Sequence, residues 1–162
     1  MTSPVRTLVV DDSAAMRAML SAALDADPAI KVVGAAPEPH AARQMMRELD
    51  PDVVTLDVEM PGMDGLSFLE KIMRLRPTPV VMCSSLTTHA AEVTIEALRL
   101  GAVDFVAKPS GNGGDMKRAT AELCEKVKAA ARSRVRQSRD VPQTGPVAAV
   151  DGPFAEDRLI VI

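Results

Sequence analysis

Tryptophan and tyrosine are absent from this chain, and Phe68, Phe105 and Phe154 are its only aromatic residues. Base-stacking surfaces and aromatic sugar platforms cannot be assembled from so little. Cysteine is scarce as well: Cys83 and Cys124 stand alone, with no C-x-x-C. A disulfide framework and a zinc knuckle are thereby excluded. Cys83 reads as a buried small hydrophobe and Cys124 as filler on a helix face. No segment approaches the roughly 18 consecutive apolar residues of a membrane span, and Met1-Thr2-Ser3-Pro4 opens no signal-peptide pattern. The net charge of −3 argues against nucleic acid as the principal partner. What remains is a cytoplasmic protein without membrane insertion.

What is present is ordinary globular composition: 162 residues, 47% hydrophobic and 25% charged, enough for one domain and an extension. Charge divides the chain, with 10 basic against 15 acidic residues over 1–114 and 9 against 7 over 115–162. The acidic part alternates short apolar runs with amphipathic stretches. Continuous Val, Ile and Leu at Thr7–Val10, Ile30–Gly34, Val53–Leu56, Val80–Cys83 and Asp104–Val106 predict strands buried on both faces of a parallel sheet. Helical stripes follow each run: Met16, Met19, Leu20 and Leu24; Met45, Met46 and Leu49, with Pro39 suited to a first turn; Leu66, Leu69, Ile72 and Met73. Ala90, Thr94, Ala97 and Leu98 come next, closed by Gly101, and then Met116, Thr120, Leu123, Val127 and Ala130. Five such units predict a doubly wound α/β domain.

The fifth helix is expected to run past Arg132, and Lys128–Arg139 carries five basic residues and no acid. A solvated helix end is the plainer reading of that run, a polyanion-binding arm the other. Asp140–Pro153 is small, polar and broken by Pro142, Gly145, Pro146, Gly152 and Pro153, as a linker would be. Arg158-Leu159-Ile160-Val161-Ile162 reads as the beginning of another strand. The expected organisation is a domain over 1–132, a linker over 133–157 and the opening strand of a further domain over 158–162.

Ligands of an open parallel sheet sit outside the carboxyl ends of its strands. Those ends carry Asp11 and Asp12, then Asp57, then Ser84 and Ser85, then Lys108; the second strand ends in Gly34-Ala35-Ala36, with nothing polar. Alone, each has a bland explanation: Asp-Asp as an N-cap, Asp57 as a turn residue, Ser84 as a strand-end hydrogen bonder, Lys108 as a surface charge. Together they converge. Two carboxylates about 4 Å apart repel by about 4 kcal/mol at an effective dielectric near 20. Lys108 offsets one of three negative charges, and a divalent hard cation such as Mg²⁺ would cancel the rest. A carboxylate beside Mg²⁺, a lysine and a hydroxyl is arranged to attack phosphorus, with Asp57 as nucleophile and Ser84 and Lys108 on the phosphoryl oxygens.

Val9-Val10-Asp11-Asp12-Ser13, Asp57-Val58-Glu59-Met60-Pro61-Gly62-Met63-Asp64-Gly65 and Lys108-Pro109 resemble the receiver domain of two-component response regulators over about residues 5–130. The resemblance implies a flavodoxin-like fold with strand order 2-1-3-4-5. It also implies that Asp57 takes a phosphoryl group from a histidine kinase. Asp12, Asp57 and the backbone carbonyl of Glu59 would bind Mg²⁺, with Asp11 acting partly through water. Ser84 and Lys108 would contact the phosphoryl, Phe105 would be an aromatic switch, and the peptide before Pro109 would be cis. Pro79–Thr87, Glu92-Val93-Thr94, Gly101–Pro109 and Arg158–Ile162 further resemble the chemotaxis protein-glutamate methylesterases. In that family a C-terminal domain hydrolyses glutamate methyl esters on chemoreceptors and deamidates certain glutamines, and the receiver covers its active site until phosphorylated.

The chain itself contains no G-x-S-x-G nucleophile motif, since Gly65-Leu66-Ser67-Phe68 lacks the second glycine. Gly111-Asn112-Gly113-Gly114 reads as loop, and His40 and His89 as surface residues. Two other functions compete: a receiver governing a DNA-binding output or acting alone, and a phosphatase of the haloacid dehalogenase type. The latter places its nucleophile in a D-x-D at the first strand and its acidic pair last; here the pair comes first and Asp57 is followed by Val58 and Glu59.

Overall fold

The computed structural model describes residues 3–58, 65–84, 88–108 and 113–140. Strands β1 (Val5–Val10), β2 (Ile30–Ala36), β3 (Val53–Asp57), β4 (Val80–Ser84) and β5 (Asp104–Ala107) alternate with helices α1 (Ala14–Asp25), α2 (Pro39–Leu49), α3 (Gly65–Leu75), α4 (Thr88–Leu100) and α5 (Gly113–Asp140). All neighbouring strands are parallel, in the order β2-β1-β3-β4-β5. The predicted five-stranded doubly wound sheet is therefore observed. The chain divides into two compact units, Met1–Ala131 and Arg132–Ile162. Described residues of the second unit all belong to the end of α5, which carries on into the stretch expected as linker. The expected strand at 158–162 lies outside the described residues.

Strand side chains alternate between two cores, because successive residues of a strand point to opposite faces. Leu8, Val10, Val54, Leu56, Val80 and Met82 face a core completed by α2, α3 and α4. Val9, Val53, Val81, Cys83 and Val106 face the other, closed by Leu20 and Leu24 of α1 and Leu123, Val127 and Ala130 of α5. Both cores need apolar strands, so the runs read as continuous rather than alternating.

Several boundaries exceed the sequence expectation. β1 starts at Val5 and β2 continues to Ala36, because the parallel ladder pairs Val5 with Ile30 and Val10 with Ala36 whatever the side chains. Asp57 and Ser84 are the last residues of β3 and β4 rather than the first beyond them, in register with Cys83 and Ala107 respectively. Pro39 sits in the first turn of α2, with Glu38 as N-cap accepting from the Ala41 amide at 2.7 Å. Gly101 ends α4 at φ +122, a conformation that L side chains avoid, and Ala102 donates back to the Ala97 carbonyl at 3.0 Å.

Candidate functional site

β1 has β2 on one side and β3 on the other, so the chain reverses direction across the sheet between β1 and β3. A crevice opens there at the carboxyl ends of the strands, and the acidic residues meet in it. Asp11 follows β1, and its amide donates to the Ala36 carbonyl at 3.1 Å, extending the ladder by one bond. Its Oδ1 accepts from the Ser13 amide at 2.9 Å, and its carbonyl accepts from Arg17 Nη1 at 2.8 Å. The cap of α1 is Ser13, whose Oγ accepts from the Met16 amide at 3.2 Å. Capping by Ser13 leaves Asp12 exposed and Asp11 Oδ2 turned inward.

Asp57 is 1% exposed and Asp11 is fully buried. The Lys108 ammonium stands 2.8 Å from Asp57 Oδ1 and 3.3 Å from Asp11 Oδ2. Lys108 is placed by the backbone, since its amide donates to the Ser84 carbonyl at 2.9 Å. That bond also sets Ser84, itself 7% exposed, next to the lysine in the chain path. Burial acts to lower the Lys108 pKa, but the hydrogen bond and charge of Asp57, with those of Asp11, outweigh it and hold the group above its usual value. The neighbouring Cys83 thiol is pushed up to about 12, first by burial and then by Asp11 and Asp57 against the opposing pull of Lys108.

Asp11, Asp12 and Asp57 each offer a carboxylate oxygen, and these oxygens lie within 4.8 Å of one another. One lysine against three carboxylates leaves a double negative charge. Asp11 Oδ2 is buried and faces the Lys108 ammonium at 3.3 Å. A cluster of hard oxygen donors whose charge one lysine offsets only in part suits a divalent hard cation. The predicted Asp11, Asp12, Asp57, Ser84 and Lys108 are thus all at one sheet edge. Glu59 and the Lys108–Pro109 peptide lie outside the described residues.

Phe105 of β5 is 43% exposed and points away from both cores. The Lys126 ammonium of α5 lies 5.0 Å from the centre of its ring and donates to its carbonyl at 2.6 Å. The same ammonium is 3.1 Å from Glu122 and 3.4 Å from Asp104. Sequence reasoning missed Lys126, Arg17 and Gly65. Lys126 stands twenty-one residues from Phe105, so only tertiary structure joins them. Gly65, at the start of α3, lies so close to β3 that a Cβ there would sit 2.7 Å from the Asp57 carbonyl oxygen. A glycine just after the acidic residues Glu59 and Asp64 in sequence was a visible signal for such an approach.

A sheet of this order with an acidic crevice at its switch point defines a flavodoxin-like α/β domain with a ligand site at the carboxyl ends of its strands. The chain belongs to the response regulator receiver domain family, whose model matches residues 7–120. The likeness narrows to the chemotaxis members. The response regulator domain of Thermotoga maritima CheB is 47% identical with a TM-score of 0.71, covering 80% of this chain and 97% of that one. A protein-glutamate methylesterase/protein-glutamine glutaminase of Caulobacter vibrioides is 58% identical over 86% of this chain. One of Cupriavidus pinatubonensis is 52% identical over 98% of it. The chain spans only 40% and 45% of the lengths of these two relatives, respectively. A further similar structure is that of the P1 domain of CheA3 in complex with CheY6 from R. sphaeroides, with 30% identity, a TM-score of 0.68, and coverage of 81% of this chain and 99% of that one. Membership of the receiver family sets aside the dehalogenase-type phosphatase. Among the described residues, no helix is long and apolar enough to cross a membrane.

Proposed function

We propose that this chain is the phospho-accepting regulatory part of a cytoplasmic chemotaxis methylesterase, and that Asp57 is the acceptor. One observation carries the reading: a carboxylate 1% exposed at the carboxyl edge of the sheet, held by an ammonium at 2.8 Å, with two further carboxylates beside it. An ionised carboxylate is already a nucleophile, so no general base is needed. A carboxylate oxygen of Asp57 attacks the phosphorus of a phosphohistidine on the kinase. The P–N bond breaks, its electron pair leaves on the imidazole, which takes a proton from solvent, and an acyl phosphate remains on Asp57. Lys108 offsets charge on one phosphoryl oxygen and the Ser84 hydroxyl donates to another. Asp11, Asp12, Asp57 and the Glu59 carbonyl would hold Mg²⁺, which would supply further charge neutralisation for the transfer.

The phosphoryl draws in the Ser84 hydroxyl, Phe105 turns into the space released, and the surface of α4, β5 and α5 changes with it. In the whole protein, that change loosens the receiver from the esterase cleft. The domain ends near residue 132, residues 133–157 link it to the catalytic domain, and 158–162 begin that domain. The Cupriavidus relative, matched over 98% of the chain, supports this organisation. The CheA3–CheY6 complex supports a chemotaxis histidine kinase as donor, and the relatives' names support methyl-esterified protein glutamates as the substrate of the whole protein; that these glutamates lie on chemoreceptors is part of the proposal. They favour the esterase over a DNA-binding output.

Incubation with acetyl phosphate and Mg²⁺ is expected to add the mass of one phosphoryl group, and EDTA or Asp57→Asn to prevent it. Equal labelling of the Asp57→Asn chain would end the proposal.

A further inference from the structure

α2 and α3 leave a cavity of about 260 Å³ between them, on the helical layer that also contains α4. Its floor is apolar: Met46, Phe68 and Ile72 are buried, and Leu75 stands on its wall 61% exposed. Its rim is basic, formed by Arg43, Arg47 and Lys71, with Arg76 at one end. Arg76 is 2.9 Å from Asp50. Among the described residues, the other three cations have no ion pair, and no acidic side chain lines the cavity. In a chain of net charge −3, that local sign is reversed.

Size and shape select the occupant. The volume is below that of the usual cofactor or drug-sized pocket, about 300–1,000 Å³, and suits one or two apolar side chains. The apolar floor is recessed, whereas a membrane surface is flat and is met by apolar side chains that project. Three unpaired cations around a recessed apolar floor complement carboxylates that flank a large apolar residue, the pattern of an acidic amphipathic peptide laid in a helical groove. We propose that the α2–α3 groove docks such a peptide segment of a partner protein. The segment's apolar side chain sits over Phe68 and Ile72, and its carboxylates face Arg43, Arg47 and Lys71. None of these residues belongs to the acidic site, and Ile72 and Leu75 are at the opposite end of α3 from Gly65. Docking is therefore independent of the state of Asp57, and the reading of Asp57 as acceptor can fail without affecting it.

A random peptide library displayed on phage, panned on the 162-residue chain, tests the groove. Enriched peptides are expected to combine carboxylates with a large apolar residue. In fluorescence anisotropy, a labelled enriched peptide should bind about tenfold more weakly or worse to Arg43→Glu/Lys71→Glu and to Leu75→Asp, both checked for folding by circular dichroism. Added salt should weaken binding, while acetyl phosphate and Asp57→Asn should leave it unchanged. Enrichment of sequences without acidic residues would overturn the proposal. So would affinity in both folded variants equal to that of the parent chain, or binding of the chain to phosphatidylglycerol vesicles with no acidic peptide enriched.

Discussion

At the scale of single residues, the site is an electrostatic balance in which each partner makes the others tolerable. Removing the Lys108 ammonium takes away the cation that pairs with both Asp57 and Asp11, at 2.8 and 3.3 Å. Lys108→Met is therefore expected to lower the rate of labelling by acetyl phosphate by about a hundredfold, the usual effect of losing one preorganised charge contact, while Mg²⁺ affinity rises because the uncompensated negative charge grows. Intrinsic labelling kinetics and a magnesium titration would check the two directions together. A second residue-scale expectation concerns Cys83. Its thiol is 1% exposed and held near 12, so almost no thiolate exists at neutral pH. Iodoacetamide should leave it unmodified in the folded chain and alkylate it after urea unfolding, as read by mass spectrometry. The residues that carry this site were legible in the sequence because strand ends in a parallel sheet advertise themselves: an apolar run stops, and a charge or hydroxyl begins. What was not legible was the division of labour within Asp11-Asp12-Ser13. Three adjacent residues can all cap a helix, and only the geometry gives that task to Ser13, leaving Asp12 exposed and Asp11 to accept from the Ser13 amide and to face Lys108.

At the scale of elements, two glycines separate folding from function. Gly101 adopts a positive φ, and a Cβ there would come within 3.0 Å of Met73 on α3. Gly101→Ala should destabilise the domain by about 1 kcal/mol or more in urea unfolding, because strain and contact both oppose it, yet leave labelling of Asp57 intact. Gly65→Ala acts elsewhere. Its Cβ meets backbone at the Asp57 carbonyl, which cannot swing aside as a side chain can. The start of α3 and the end of β3 must separate, so labelling should fall as well as stability. The helix stripes had identified most of the core, but the third stripe omitted Phe68, which is fully buried. Four apolar positions on one helix fit more than one face, and packing against β3 and β4 decides which is used. α5 is tied to the turn between α1 and β2 by an ion pair between Lys128 and Asp27 at 2.9 Å. The Lys128 hydrogen bond, then that from the Ala29 amide, holds the Asp27 carboxyl below its usual 3.8. A carboxyl depressed on folding stabilises above its unfolded pKa and loses that contribution as pH falls through the folded one. The stability difference between the parent chain and Lys128→Gln should thus be constant from pH 7 to pH 5 and shrink below about 3.8 in urea titrations.

At the scale of the whole molecule, the doubly wound α/β class follows from few signals: five apolar runs, five helical stripes and polar residues at four of the strand ends; the strand order is legible only through the resemblance to receiver domains. The state of the proposed switch follows from neither, because it depends on residues brought together only by folding. Phe105 and Lys126 show this. The ring lies outward, 43% exposed, beneath an ammonium that also binds its carbonyl, Glu122 and Asp104. A cation over an aromatic ring at an exposed site contributes about 0.5–1 kcal/mol, and a charged hydrogen bond to the carbonyl adds about 1.5–3 kcal/mol if it is lost when the ring turns. Inverting a two-state population from 1:99 to 99:1 takes about 5.5 kcal/mol. The Lys126 contacts alone are smaller than this, so Lys126→Met should shift the ring towards the inward state without completing the change. Phosphorylation of Asp57 should complete it. Fluorine-labelled phenylalanine reads the outcome, since the chain has only three such residues and Phe105→Leu assigns the resonance. The parent chain should show one Phe105 position before acetyl phosphate and Mg²⁺ and another after. Lys126→Met should lie between them beforehand and reach the same end point afterwards. A resonance unmoved by phosphorylation would detach Phe105 from the switch, whereas one moved by phosphorylation but indifferent to Lys126→Met would leave the switch and remove its clamp.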